Sequence, residues 1–187
     1  MIERLVFLKG RNLHLRPLAK EDLPACVKWV NDPENRDYVN GYWPMTLGEE
    51  EEWFGQLRKN KPNDFVLAIV LNDGTFIGNI GIHKIDWRSR VATTGALIGE
   101  KEHWGNGYGT EAKILLLDFA FNTLNLHKLC SQVIAYNERS RRYSEKCGYK
   151  LEGIFKDHIF RRGQYWDVLN LAVFREDFEP VWEKYLK

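Results

Sequence analysis

The sequence predicts an α/β (α+β) fold with one mixed, mostly antiparallel central sheet of about seven strands, flanked by helices. Three observations predict it. Residues 65–98 read as three consecutive strands joined by short turns, which makes antiparallel hairpins. Residues 91–147 read as strand, loop, helix, strand and helix, which allows one local parallel crossover. No βαβ unit repeats along the chain, so a doubly wound parallel sheet is disfavoured.

Each element has a local cause. Residues 11–17 alternate in polarity and form a first strand closed by Pro17. Residues 21–31 form a helix that stops before Asp32 and Pro33, because the residue preceding a proline disfavours helical geometry. Thr46 and Glu49 match a capping box, each satisfying an end donor of a helix that runs to Lys59. Phe65–Leu71 is an apolar strand, Asn72, Asp73 and Gly74 turn the chain, and 75–87 is a long strand. Ser89 and Arg90 mark another turn before the strand Val91–Ile98. A glycine-rich loop, 99–109, leads into a strongly apolar helix at 110–122. Residues 127–135 form a strand and 137–147 a helix closed by Gly148, a good stop residue. Two strands, 149–155 and 167–174, complete the sheet.

A chain of 187 residues suits one domain, 1–187. Its composition, 44% hydrophobic and 28% charged, supplies enough apolar material for a packed core. A formal net charge of +1, with acids and bases mixed, creates no field for nucleic acid or an anionic membrane, and neither is expected as a partner. The N-terminus carries Glu3 and no long apolar run behind it, so it does not read as a secretory leader. The longest apolar stretches are too short to span a bilayer. Cys26, Cys130 and Cys147 are an odd count without metal spacing, as expected of reduced thiols in the cytoplasm, and no metal is expected.

The most informative segment is the glycine loop. Gly105, Gly107 and Gly109 remove side chains where backbone can approach a ligand closely. The helix that starts just beyond them offers unpaired N–H groups and the positive end of its dipole. Together these features favour an anion, most naturally a diphosphate, over a plain connecting loop. A dinucleotide fingerprint does not fit, because Thr110 stands where its third glycine belongs. A P-loop would need Gly-Lys-Ser/Thr, which is absent.

The run from His103 through Trp104, Gly105, Asn106, Gly107, Tyr108, Gly109 and Thr110 closely resembles the pyrophosphate loop of the GNAT acetyltransferases, of general form Q/R-x-x-G-x-G/A. Trp104, with Thr110, Glu111 and Ala112 following, looks like the RimJ/RimL-type branch, which includes ribosomal-protein N-terminal acetyltransferases. It stands where many relatives carry Arg or Gln, which costs a cation but no backbone donor. A second segment, 137–149, resembles the family's N-x-x-(S/A)-x-x-x-x-E-K-x-G-(F/Y) helix. Leu15, Arg16, Pro17 and Leu18 also match the branch, as do Asn31, Asp32, Pro33 and Glu34.

The resemblance implies a sheet whose strands 91–98 and 128–135 splay apart to admit acetyl-pantetheine. Backbone near Leu97, Ile98 and Gly99 would pair with the pantetheine amides, and the loop 104–110 would hold the pyrophosphate. Asn137 would either touch the pantetheine or simply cap its helix. Ser140 shares a helical face with Ser144 and joins the cofactor-binding set, unless the two form a small-residue packing face. The implied chemistry is direct attack of a primary amine on the thioester of acetyl-CoA, with a backbone N–H near the splay stabilising the oxyanion. The acceptor is a protein N-terminus, a polyamine or another small-molecule amine.

Ser144 occupies the position where other branches place a tyrosine acid beside the CoA sulfur, so it is the expected catalytic hydroxyl. The adjacent Tyr143 is the stronger acid, but the two differ by about 100° around the helix, so both cannot point to one place. The acid that many relatives carry in the fourth strand aligns with Thr93, which cannot act as a base. The amine proton would then leave through a water chain, Glu34 or His83. A non-catalytic acyl-CoA-binding module of the same fold is the competing possibility raised by Thr93. The acids at 49–52 read as helix-end compensation, and Arg161, Arg162 and Gly163 as an exposed hairpin turn. Tyr38, Tyr42 and Trp43 fall in the loop that admits the acceptor in this branch. A homodimer is expected from the aromatic content and from Trp166 and Trp182 as apolar surface.

Overall fold

The computed structural model describes residues 5–39 and 41–187. Residues 1–4, on which the reading of the N-terminus rests, lie outside the described residues. Eight strands form one sheet: β1 (Leu8–Lys9), β2 (Leu13–Pro17), β3 (Phe65–Leu71), β4 (Phe76–Asp86), β5 (Val91–Ile98), β6 (Lys128–Ile134), β7 (Lys150–Arg161) and β8 (Gln164–Phe174). Their spatial order is β1-β2-β3-β4-β5-β6-β8-β7, and among the described residues only β5 and β6 pair in parallel. The strand beyond the expected seven is β1, whose two residues are too few to show alternation.

Six α-helices cover the sheet: α1 (Leu23–Asn31), α2 (Pro33–Arg36), α3 (Leu47–Lys59), α4 (Tyr108–Asp118), α5 (Glu138–Lys146) and α6 (Arg175–Leu186). β3 shows why the layers form. Leu67, Ile69 and Leu71 face a core completed by Leu116 and Phe121 of the α4 segment and Phe178 of α6. Val66, Ala68 and Val70 face the opposite way, against Leu23, Cys26 and Trp29 of α1. A strand buried on both faces reads as continuous apolar sequence rather than as alternation. Each large side chain so buried contributes about 1.5–3 kcal/mol.

Local signals set the helix ends. Thr46 Oγ1 accepts the N–H of Glu49 at 3.3 Å, and Glu49 Oε2 accepts the N–H of Thr46 at 2.8 Å, the reciprocal capping box. α1 stops at Asn31, and Asp32 then caps α2 by accepting the N–H of Glu34 at 2.8 Å. α4 starts at Tyr108, two residues earlier than the apolar run indicates, because Gly107 takes a left-handed φ of 84° and serves as N-cap.

The C-terminal region departs most from expectation. β7 and β8 form one long hairpin around Arg162 and Gly163, while the sequence gives only 149–155 and 167–174. Register shifts after Leu151 and Phe155 break the period-2 pattern that would have revealed the rest. α6 contains Pro180, a residue that reads as a breaker. Trp166 and Trp182 are not free surface. Trp182 stacks on Phe178 and Tyr185 at centroid distances of 6.1 and 5.6 Å, and Trp166 packs edge-on against Tyr136. The exposed apolar side chains of the hairpin that ends the sheet are instead Leu151, Ile154, Phe155, Phe160 and Tyr165, with Leu186 exposed on α6. Among the described residues, no helix is long and apolar enough to cross a membrane.

Candidate active site

β5 and β6 pair only through Val91, Ala92 and Thr93 with Lys128, Leu129 and Cys130. Beyond Thr93, β5 keeps its partner β4, and β6 keeps β8, but the two no longer meet each other. Their facing edges diverge into a cleft of about 480 Å³. The wall on the β5 side is Ala96, Leu97 and Ile98, and the opposite wall comes from α5.

Backbone direction decides which groups face the slot. The N–H of Gly99 donates to Ile77 of the β4 side at 2.9 Å, and its carbonyl accepts from Asn35 Nδ2 at 3.0 Å. Successive residues of a strand point their polar groups to opposite edges, so Leu97 turns with Gly99, and Ala96 and Ile98 turn to the slot. By this register Ile98 offers its backbone to the slot, whereas the backbones of Leu97 and Gly99 are turned to the β4 side. Residue 99 is glycine because a Cβ there would lie 1.9 Å from the indole of Trp29. The Ile98 carbonyl accepts the indole N–H of Trp104 at 2.7 Å, which fixes the glycine loop to the strand edge.

The glycine loop behaves as its composition requires. Gly105 and Gly107 have φ values of 79° and 84°, strained for any side chain, while a Cβ at either would meet nothing within 4 Å. They are glycines for conformation, and they leave bare backbone on the cleft. No side chain caps α4, and its first internal bond runs from the Glu111 N–H to the Gly107 carbonyl at 3.0 Å. The N–H groups of Tyr108, Gly109 and Thr110 therefore remain unpaired within the helix. Asn106 turns away and donates to the Glu102 carbonyl at 3.0 Å.

Three cations that the sequence reading missed complete this end. Arg139, Arg142 and Lys146 line the cleft from α5, and among the described residues no acidic side chain does. Their spacing of three and four residues puts them on one helical face, a signal that was available. Arg139 lies over Trp104, Cζ 3.6 Å from the ring centroid, so a cation returns to the place where Trp104 had removed one. Burial holds its guanidinium below the ordinary value. Asn137 lines the cleft and also caps α5, its Oδ1 accepting the Ser140 N–H at 3.1 Å, so both of its expected roles are compatible.

At the closed end Tyr143 lines the cleft wall and the expected hydroxyl, Ser144, does not. Tyr143 lines the cleft, with burial pushing its phenol well above the usual range. Ser144 is completely buried, lies off the cleft wall, and its Oγ has no hydrogen-bond partner. α5 packs on α4 through this face, and a small residue is what the close approach admits.

Neither candidate base lines the cleft. Glu34 is paired with Lys101 at 3.0 Å. His83 faces Asp64, Nδ1 to Oδ1 3.4 Å, in a second cavity with Trp53 and Asn60. Burial pulls its imidazole below the ordinary value, partly offset by Asp64. The hairpin arginines are not idle surface either. Arg161 is buried and donates to the Val39 carbonyl at 2.8 Å, while Arg162 pairs with Asp37 at 2.8 Å. They tie the hairpin to the loop carrying Tyr38, Tyr42 and Trp43. Glu49 is the cap described above, Glu51 pairs with Lys20 at 3.2 Å, and Glu50 is buried.

This geometry can be set beside known proteins. The sequence pattern described as an acetyltransferase (GNAT) domain matches residues 12–150, most of the chain and all of the cleft-forming elements. The chain belongs to the GNAT acetyltransferase family. Among its relatives, a spermidine N(1)-acetyltransferase of Escherichia coli (strain K12) is 29% identical over 177 residues, covering 90% of this chain and 89% of that one. An N-acetyltransferase of Bacillus licheniformis, p20, is 26% identical over 176 residues, covering 91% and 97%. The crystal structure of a Vibrio cholerae spermidine N-acetyltransferase in complex with CoA and spermine superposes with a TM-score of 0.83 at 24% identity, covering 90% of this chain and 98% of that chain. What this GNAT protein shares with that structure is the fold.

Proposed function

We propose that this chain transfers the acetyl group of acetyl-CoA to a primary amine, with pantetheine in the β5/β6 slot and the diphosphate on the N-terminus of α4. One observation carries the reading: the unpaired strand edges lead directly to an uncapped helix start flanked by Arg139, Arg142 and Lys146. The slot supplies the missing strand neighbour for the pantetheine amides. The helix start supplies N–H donors for oxygen anions, and the α5 cations neutralise the remaining phosphate charge.

In this arrangement a neutral amine attacks the thioester carbonyl carbon, the C–S bond breaks, and its electron pair leaves on sulfur. Tyr143 is placed to donate a hydrogen bond to that sulfur. A phenol with a raised pKa stabilises a thiolate without surrendering its proton. Ser144, behind it, keeps the helices close. The amine proton leaves through water toward the Asp64–His83 pair. Gly81 and Gly95 stand opposite each other in register, and the imidazole lies against them on the sheet face away from Thr94. A base of this kind contributes about 10²–10⁴-fold.

The acceptor enters past Tyr38 and Val39. Exposed Tyr42 and Trp43 beside them offer ring faces to a cationic chain. Together with the spermidine acetyltransferase relative, this favours a polyamine over the protein N-terminus suggested by RimJ/RimL-type motifs. The free thiols suit the cytoplasm. The exposed apolar strip on β7 and β8 suits a homodimer. Release of free CoA thiol, measured with spermidine, simple alkylamines and peptides with free N-termini, tests the assignment. Turnover with spermidine is expected; CoA binding without turnover on any amine overturns catalysis in favour of a binding module.

A further inference from the structure

Lys113 is a fully buried lysine that the mechanism above does not use. It projects from α4, one turn beyond Thr110 of the cleft wall. Its Nζ donates to Thr94 Oγ1 at 2.8 Å and has no carboxylate within ion-pair distance among the described residues. Two aromatic faces complete its surroundings, Tyr143 at 5.2 Å and Tyr149 at 5.1 Å from Nζ to centroid. An unpaired ammonium in such a place is costly, and a lysine without a structural partner is a candidate for function.

Its partner sits at a telling point. Thr94 directly follows the last β5/β6 pair, and its hydroxyl donates to the Cys130 carbonyl of β6 at 3.2 Å. With its proton used there, Thr94 accepts from Lys113 and from the Tyr149 hydroxyl, 2.7 Å away. Side chains alternate along a strand, so Thr94 lies on the same face as Ala96 and Ile98, which line the cleft. The Lys113–Thr94 contact is therefore the next layer behind the closed end of the slot, with Tyr143 between it and the cavity.

We propose that Lys113 is a positioning residue that holds a cation behind the closed end of the pantetheine slot and so favours departure of CoA as a thiolate. The inference rests on the slot assignment above. In the transfer step the carbon–sulfur electron pair moves to sulfur, at the end of the slot nearest this charge. Lys113 gives up no proton. It stabilises the negative charge across the Tyr143 ring, where little water competes. The groups facing Lys113 are Thr94 of β5, the Cys130 carbonyl of β6, Tyr143 and Cys147 of α5, and Tyr149; on the far sheet face, His83 feels its charge. Burial draws the Lys113 ammonium down to about 8, which still leaves it mostly protonated at neutral pH. A neighbouring thiolate favours the protonated form further, because coupling between two titrating sites is reciprocal.

The test is the thiolate absorbance of CoA bound to the full chain, titrated with pH in the wild type and in Lys113→Met. The wild type is expected to hold CoA with its thiol below the value of free CoA. Lys113→Met should bind CoA with similar affinity but lose about tenfold in thiolate fraction at a pH below that value. Its kcat should fall by a similar factor with little change in KM for acetyl-CoA. Failure of the wild type to bind CoA would sink the slot assignment itself. Binding with an identical thiol titration in both proteins would leave that assignment standing and overturn the role of Lys113. Should Lys113→Met not fold, the wild type alone decides: a bound thiol titrating no lower than free CoA refutes the proposal.

Discussion

Arg139 stacks on Trp104, which in turn donates its indole N–H to the carbonyl of Ile98. One contact thereby joins the α5 cation, the glycine loop and the edge of β5. Replacing Arg139 with alanine should weaken CoA binding about tenfold, or about 1.4 kcal/mol. The deficit should shrink as salt is raised, because part of it is a charge interaction at a half-open site. Equal affinities in calorimetric titrations at low salt would rule the arginine out as a phosphate partner.

Gly109 offers a cleaner test of the anion loop than Gly107. At Gly107 any side chain is strained by the positive φ, so a loss of binding could be a loss of local structure. At Gly109 a Cβ would make only an ordinary 3.8 Å contact with Ile98 Cγ1. Gly109→Leu should therefore keep a melting temperature near that of the wild type while CoA affinity drops at least about tenfold. Undiminished affinity in the folded variant would remove the diphosphate from α4.

The two hydroxyls of α5 make opposite forecasts. Tyr143→Phe should lower kcat about tenfold, some 1.4 kcal/mol of transition-state stabilisation, with KM for acetyl-CoA little altered. Ser144→Ala should retain nearly full activity, since its Oγ has no hydrogen-bond partner. Steady-state kinetics showing the reverse would return the sulfur to Ser144.

His83 gives a pH dependence whose sign can be worked out. Burial lowers its pKa from an ordinary 6.5, so the folded protein prefers the neutral ring. As pH falls through 6.5 the unfolded chain takes up the proton more readily, and stability declines on the acid side. Above 6.5 neither state is protonated there and the contribution is constant. The acidic limb of kcat/KM should lie below 6.5 and vanish, with most of the activity, in His83→Ala. A wild-type limb at or above that value, or full activity in the variant, would discard His83 as proton acceptor.

Much of the fold was legible because its causes are local. β3 declared itself by a continuous apolar run, α3 by its capping box, and the end of α1 by Asp32 and Pro33. The second half of β7 and all of α6 were not, since register shifts and an internal proline erase the patterns that sequence reading depends on. At the site, the alternating glycines marked the anion loop because conformation and composition coincide there. The reason for Gly99 was not legible, because it is Trp29, a contact distant in sequence. Which of Ser144 and Tyr143 lines the cleft depends on helix rotation within the packed structure, which counting residues from a motif does not supply.

The anchoring of Asp37 and Val39 by Arg161 and Arg162 separates two supports. Both arginines lie beyond residue 150, outside the stretch that matches the family pattern, whereas the strands and helices that wall the cleft lie inside it. The mouth of the cleft beside Tyr38 and Val39 is thus held by a hairpin distinct from the elements that build its walls.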